Sequence, residues 1–161
     1  MGAVSAGLLS YTFTNDALLF LLVHPGGPYF KNKDQGYWSI PKGLVDSNED
    51  LLEAAKREFQ EETGMIPEAP FNRLGEIKQK SGKRVHAWSF KLPEKYHSWD
   101  PKSDINSNTF ELEWPPRSGN YQRFPEVDKA HWFSPEQAKK KIMPMQVPFL
   151  EKAYNSINLK D

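Results

Sequence analysis

The stretch Gly43–Met65, GLVDSNEDLLEAAKREFQEETGM, decides the fold. From Asn48 to Thr63 it has the spacing of a helix: Ser47 or Asn48 can cap it, Glu49 and Asp50 suit its first turn, and Gly64 stands where a helix ends. Pro67 and Pro70 forbid continuation. On a helical wheel Leu52, Ala55 and Phe59 fall within about 60° of one another and make an apolar stripe. Glu58, Glu61 and Glu62 fall within about 100° of one another beside that stripe, and Glu53, Lys56 and Gln60 take the solvent back. Like charges three and four residues apart repel, and the last turns of a helix disfavour anions. A bound divalent cation resolves that conflict. Oxygen donors without His or Cys select Mg²⁺ or Mn²⁺ over zinc. The plain alternative is a solvated acidic face balanced by Lys56 and Arg57.

Outward from the helix, the chain alternates strands and turns. On the N-terminal side, Ser5 to Phe13 is rich in β-branched and aromatic residues, Asn15-Asp16 is a turn signal, and Ala17 to Val23 is a continuous apolar run, as in a strand buried on both faces. His24 to Pro28 breaks it, a polar loop spans Lys31 to Gln35, and Gly36 to Ile40 reads as a short strand stopped by Pro41-Lys42-Gly43. Beyond the helix, Leu74 to Lys80 and Arg84 to Leu92 read as a hairpin turning at Ser81-Gly82-Lys83. Lys95 to Asn108 is a polar excursion. Thr109 to Trp114 alternates, with Phe110, Leu112 and Trp114 on one face. Val127 to Phe133 is the last strand, Ser134-Pro135-Glu136 opens a helix, and a final helix runs from Val147 to Ser156. The whole, residues 1–161, reads as one mixed α/β domain.

Composition narrows the function. The chain has 161 residues, 38% hydrophobic and 13% aromatic, too apolar for a disordered polymer. Twenty-one basic residues balance 21 acidic ones, so long nucleic acid is not an expected partner. The absence of cysteine excludes disulfides, zinc–cysteine sites, iron–sulfur clusters and thiol catalysis. Ala17 to Val23 falls far short of the roughly 20 apolar residues that span a bilayer. No secretory leader is evident, so the expectation is a cytoplasmic protein with no membrane partner.

Gly43, Glu49, Arg57-Glu58-Phe59, Glu61-Glu62, Gly64 and Met65 together resemble the complete Nudix box, G-x5-E-x7-R-E-U-x-E-E-x-G-U, where U is bulky and apolar. Only Phe59 departs slightly, at a position usually aliphatic. Tyr37 to Gly43 resembles the loop before the box in diadenosine polyphosphate hydrolases of this family. Ser107 to Gly119 resembles a bacterial subfamily described as predicted nucleoside triphosphate pyrophosphohydrolases. The likeness runs through Trp132-Phe133 and Ser134-Pro135-Glu136, and so covers essentially the whole chain. It implies an α/β/α sandwich with a mixed β-sheet. It also implies Mg²⁺- or Mn²⁺-dependent hydrolysis of a nucleoside diphosphate linked to another group, with dinucleoside polyphosphates or nucleoside triphosphates favoured. A small nucleotide is then the partner, and a homodimer is compatible with it. The other class is a non-catalytic nucleotide-binding or regulatory module of the same fold.

Carried over position by position, the resemblance makes Glu58, Glu61 and Glu62 the metal ligands, joined by the Gly43 carbonyl, with Arg57 orienting a box glutamate. Glu49 falls on the wheel away from the acid strip, so its family role asks for another geometry at the helix start; the alternative is a first-turn acid. Related enzymes bring a further acid from just before the last strand, here Glu126, as ligand or base. Glu111 and Glu113, on one strand face, are its rivals, or else a solvated face. Lys42 can reach a phosphate, as can Arg117, Lys83 and Arg84; each is otherwise a surface cation. Trp38, Tyr29 and Tyr37 can stack on a base or simply pack. The four histidines form no metal-binding pattern.

Overall fold

In chain order the elements are β1 (Val4–Thr14), β2 (Ala17–Pro25), β3 (Lys42–Leu44), α1 (Leu51–Thr63), β4 (Asn72–Lys78), β5 (Arg84–Lys91), β6 (Thr109–Glu113), β7 (Tyr121–Pro125), β8 (Val127–Phe133), α2 (Pro135–Lys141) and α3 (Val147–Asn158). The computed structural model describes residues 3–158. β1 is buried along most of its length and takes partners on both edges. β5 lies parallel to it, with β4 antiparallel outside; β2 lies antiparallel on the other edge, followed by β8. The sheet is therefore mixed, in the order β4-β5-β1-β2-β8, with β3 also beside β1.

β1 and β2 pair only from Tyr11 to Thr14 and splay apart beyond. The segment 38–44 fills the gap. Val23 and Ser39 exchange backbone hydrogen bonds of 2.9 and 3.0 Å, the Leu8 N–H donates to the Pro41 carbonyl at 3.1 Å, and β3 then pairs with Ser5–Gly7. Glycine at position 7 makes room: a Cβ there would stand 2.5 Å from the Pro41 oxygen and 2.7 Å from the Lys42 Cβ.

One face of the sheet packs Ala6, Leu8, Leu21 and Trp88 against Ala54, Ala55 and Phe59 of α1. The other packs Leu9, Phe20 and Leu22 against Ala138 of α2 and Phe149, Leu150 and Ala153 of α3. This is the expected α/β/α sandwich. Among the described residues no helix is long and apolar enough to cross a membrane.

Three elements differ from the sequence reading. Gly36–Ile40 forms no strand: Trp38 and Ser39 make isolated bridges to Ile142 and Val23. Gln146, fully buried, accepts the Ile40 N–H at 3.0 Å and donates to the Ser39 hydroxyl at 3.0 Å. Pairing resumes in β3, where Pro41-Lys42-Gly43 reads as a stop. β6 and an unforeseen β7 form a separate two-stranded sheet; β7 is mostly exposed and so shows no buried face to alternate. The cap of α1 is Asp50, accepting the Glu53 N–H at 3.2 Å, because Asn48 is used in a left-handed turn at φ 65°.

Phe59 is fully buried and meets Phe90 edge-on at 5.0 Å. Phe59→Ala is expected to cost about 3–5 kcal/mol in urea unfolding. A variant within about 1 kcal/mol of wild type would mean that α1 does not depend on this contact.

Candidate active site

The wheel predicted from sequence holds. Glu58 and Glu62 are only 8% and 7% exposed, Glu61 is half-buried, and Gln60 is exposed. Arg57 gathers this strip. Its Nη1 donates to Glu58 at 2.9 Å and to Glu61 at 3.2 Å, and its Nη2 donates to the Leu44 carbonyl at 3.0 Å. Its Nε and Nη2 grip both oxygens of Glu49 at 2.9 and 3.0 Å. Glu49 precedes the helix cap instead of riding on the helix, which frees it to turn toward Arg57. That pairing, with the Asp46 N–H donating at 3.0 Å, holds the Glu49 carboxyl at about 2, against an ordinary 4.5.

The buried acids are less well compensated. Burial pushes Glu58 upward despite its Arg57 contact, and Glu61 and Glu126 add to the push. Glu62 is raised well above the usual range by burial and then by Glu58, with Lys42 opposing only in part. The half-buried Lys42 ammonium is shifted downward, first by burial and then by Lys83. At Gly43 a Cβ would collide with the Glu58 carboxylate, so only glycine lets β3 lie on that group. Under-neutralised carboxylates beside a bare backbone fit a hard divalent cation. Among the described residues no three acids or histidines already surround a common centre; Glu58 and Glu61 point at Arg57.

A cleft of about 280 Å³ opens beside Glu62, lined also by Lys42, Glu126, Phe30, Tyr37 and Met143. Glu126 reaches it from the junction of β7 and β8. Its N–H donates to the Asn108 carbonyl at 2.8 Å, and its carbonyl accepts the Gly26 N–H at 2.9 Å. The two rival acids lie elsewhere. Glu113 accepts the backbone N–H groups of Arg117 and Gly119, each at 3.1 Å, and Glu111 stands exposed opposite Arg123.

The structure corrects two expected substrate contacts. Trp38 is 5% exposed, wedged edge-on between His24 and Phe133 at 5.3 and 5.0 Å, and has no face for a base. Arg117 sits at φ 61° in the exposed turn after β6, outside the cleft lining. Of the other candidates, Tyr37 lines the cleft, Tyr29 leans on Trp114 at 5.2 Å, and Arg84 pairs with Glu76 at 3.2 Å. Phe30 and Met143 were not expected. An aromatic following Gly26-Gly27-Pro28 was the available signal for Phe30; Met143 is brought in by the turn before α3.

The NUDIX domain model matches residues 3–153. No curated protein matches the sequence. Among solved structures, C. elegans Ap4A hydrolase in a binary complex superposes with a TM-score of 0.64 at 22% identity, covering 97% of this chain and 98% of that one. The NUDIX domain of Shewanella oneidensis NrtR, complexed with ADP-ribose, gives 0.65 at 14% identity, covering 98% and 89%. A mutT/nudix family protein from Listeria innocua gives 0.63 at 20% identity, covering 98% and 95%. At these identities the likeness is one of fold.

The Glu49–Arg57 pair has a definite pH signature. A carboxyl lowered from 4.5 to about 2 contributes stability that is fully present above pH 4.5 and is lost as pH falls toward 2. Glu49→Gln should be less stable than wild type at neutral pH, and the gap should close through that acid window. Urea midpoints measured across it test this; a constant gap contradicts the pairing.

Proposed function

The chain belongs to the NUDIX domain family, and we propose that, as one catalytic domain spanning residues 1–161, it hydrolyses a phosphoanhydride bond in nucleoside diphosphate-linked compounds. Dinucleoside polyphosphates and nucleoside triphosphates are the favoured substrates. The observation that carries this reading is the convergence of Glu62 from α1, Lys42 from β3 and Glu126 from the β7–β8 junction on one cleft.

Glu58, Glu61 and Glu62, with the Gly43 carbonyl, would hold Mg²⁺ or Mn²⁺. When bound, such an ion offsets the charge of the diphosphate and acidifies the attacking water. Arg57 keeps Glu58 and Glu61 aligned. Glu126 accepts the proton as the water oxygen bonds to phosphorus and the anhydride P–O bond breaks. The Lys42 ammonium meets a phosphate oxygen. Phe30 and Tyr37 offer an aromatic wall to the base or leaving group. The second reading, a nucleotide-binding module without turnover, draws on the fold shared with the NrtR domain complexed with ADP-ribose.

A panel of ATP, diadenosine tetraphosphate and ADP-ribose, with Mg²⁺ or with chelator, separates the two. Hydrolysis of a polyphosphate that stops in chelator supports the enzyme; binding without turnover supports the module.

Glu62→Gln separates charge from packing. In chelator its melting temperature should equal or exceed that of wild type, because an amide removes a buried, like-charged group. With Mg²⁺ its rate should fall by orders of magnitude. A variant that melts much lower yet stays active makes the acid strip structural.

Glu126→Gln should slow turnover strongly, and Glu111→Gln and Glu113→Gln should each do less. A near-normal Glu126→Gln beside an inactive Glu113→Gln would move the base to the other loop.

A further inference from the structure

The loop between β2 and β3 walls the cleft with Phe30 and Tyr37, whose rings stand 6.3 Å apart. Its internal hydrogen bonds are local: Phe30 N–H to the Gly27 carbonyl at 3.4 Å, and Lys33 N–H to the Phe30 carbonyl at 3.0 Å. Such turns shape the loop without fixing it to the sheet. From outside, the β6–β7 hairpin leans on it through Trp114 against Tyr29 and through Phe110 over Gly27.

The end of the loop near Tyr37 is tied to α2: Lys141 pairs with Asp34, and the Gly36 and Trp38 N–H groups each donate to the Lys141 carbonyl at 3.0 Å. The part that carries Phe30 and Lys33 is reached from beneath by His24. His24, near the end of β2, is fully buried. An imidazole is costly to bury unless both nitrogens find partners, and both do. Nε2 donates to the Lys33 carbonyl at 2.7 Å, and Nδ1 meets Asp128 of β8 at 2.8 Å. The β2–β8 register slips between His24 and Pro25, so that Lys129 and Val127 are paired and Asp128 is left over to face the ring. Lys33 in turn sets its ammonium 5.7 Å over the Tyr37 ring. Trp38, edge-on to His24, donates to Asp34 at 2.8 Å. His24 is thus joined through Lys33 to an aromatic wall of the cleft and through Asp128 to the strand that follows Glu126.

We propose that His24 is a positioning residue: by holding the carbonyl of Lys33, whose N–H in turn donates to the Phe30 carbonyl, it sets Phe30 against the α2-anchored Tyr37 at the distance at which a nucleoside moiety binds, and it leaves the chemical step to other groups. The proposal rests on the hydrolase reading for its kinetics and stands without it for the state of the loop.

Two substitutions divide the contacts of the ring. The amide of His24→Gln can take the place of Nε2 and keep the Lys33 carbonyl. That of His24→Asn reaches only the place of Nδ1 and keeps Asp128. With diadenosine tetraphosphate and Mg²⁺, His24→Asn should raise KM about tenfold, the effect of one lost hydrogen bond, with kcat little changed; His24→Gln should restore KM. Trypsin cleavage after Lys31 and Lys33, both exposed, should quicken in His24→Asn and return to the wild-type rate in His24→Gln, with cleavage after Lys80 unchanged in both. Phe30→Ala, a change at a partly exposed ring, should reproduce the rise in KM even if a His24 variant does not fold. An unchanged KM in His24→Asn or Phe30→Ala, or a fall in kcat alone, would overturn the proposal. If wild type hydrolyses nothing in the panel, the hydrolase reading fails and the proteolysis decides: equal rates after Lys31 and Lys33 in all three proteins would overturn it.

Discussion

The Arg57 guanidinium is the contact on which the acidic strip depends. It joins Glu49 ahead of the helix, Glu58 and Glu61 on it, and the Leu44 carbonyl at the end of β3. A bidentate arginine–carboxylate pair is directional as well as charged, so it fixes a geometry that a lysine could not. The segment 44–49 is thereby drawn against α1, and β3 is held where Gly43 touches Glu58. One cation, however, serves several anions. Arg57 satisfies Glu49 fully, lowering its pKa, but does not overcome the burial of Glu58. Of the three helix acids, Glu62 is the one that lines the cleft.

The position of the cleft follows from the splay of β1 and β2. A pair of strands that stayed joined along its whole length would leave no room for 38–44, and Lys42 would have no route to Glu62. Gly7 permits the intrusion by lacking a Cβ, and Gln146 secures the segment by supplying the hydrogen bonds that a neighbouring strand would have given. The segment is therefore irregular by construction: one side is bonded to sheet edges and the other to a turn between α2 and α3. Such backbone can turn Tyr37, Ser39, Ile40 and Lys42 toward one opening, where a regular strand would alternate them between two faces.

What was legible in the sequence was local. The period of α1 put Phe59 on the core and Glu58 and Glu62 beside it, since three-residue and four-residue spacings alone decide that placement. Glu126 came from the family resemblance and not from any local pattern, and it lines the cleft. The missed features have distant causes. Trp38 reads as a free aromatic because the rings that enclose it, His24 and Phe133, come from β2 and β8. The strand expected at 36–40 is absent because its partners are a turn and a glutamine about a hundred residues later in the chain. The helix cap moved to Asp50 because Asn48 took a left-handed conformation, a choice that several neighbouring Asn, Asp and Ser residues leave open. Arg117 looked available because nothing in its neighbourhood shows that its turn lies away from the cleft.

The packing and chemical faces of α1 share the same turns, and this sets how the two can vary. Phe59 stands between Glu58 and Glu62 in the chain, and its ring is seated on Phe90 of β5. A one-residue shift of the helix would turn the acids by about 100°, away from Gly43 and into either the core or solvent. The position of the acids is therefore fixed by apolar contacts that take no part in the chemistry, while their charge is carried at a cost in desolvation that those contacts offset. Different constraints hold for the loop of residues 26–36, which is joined to the rest of the fold at Gly26, Lys33, Asp34 and Gly36 and leaves the ring of Phe30 exposed between them. Side chains there can change without disturbing α1 or β3. Phe30 and its neighbours can accordingly vary while the Arg57-centred strip stays as it is.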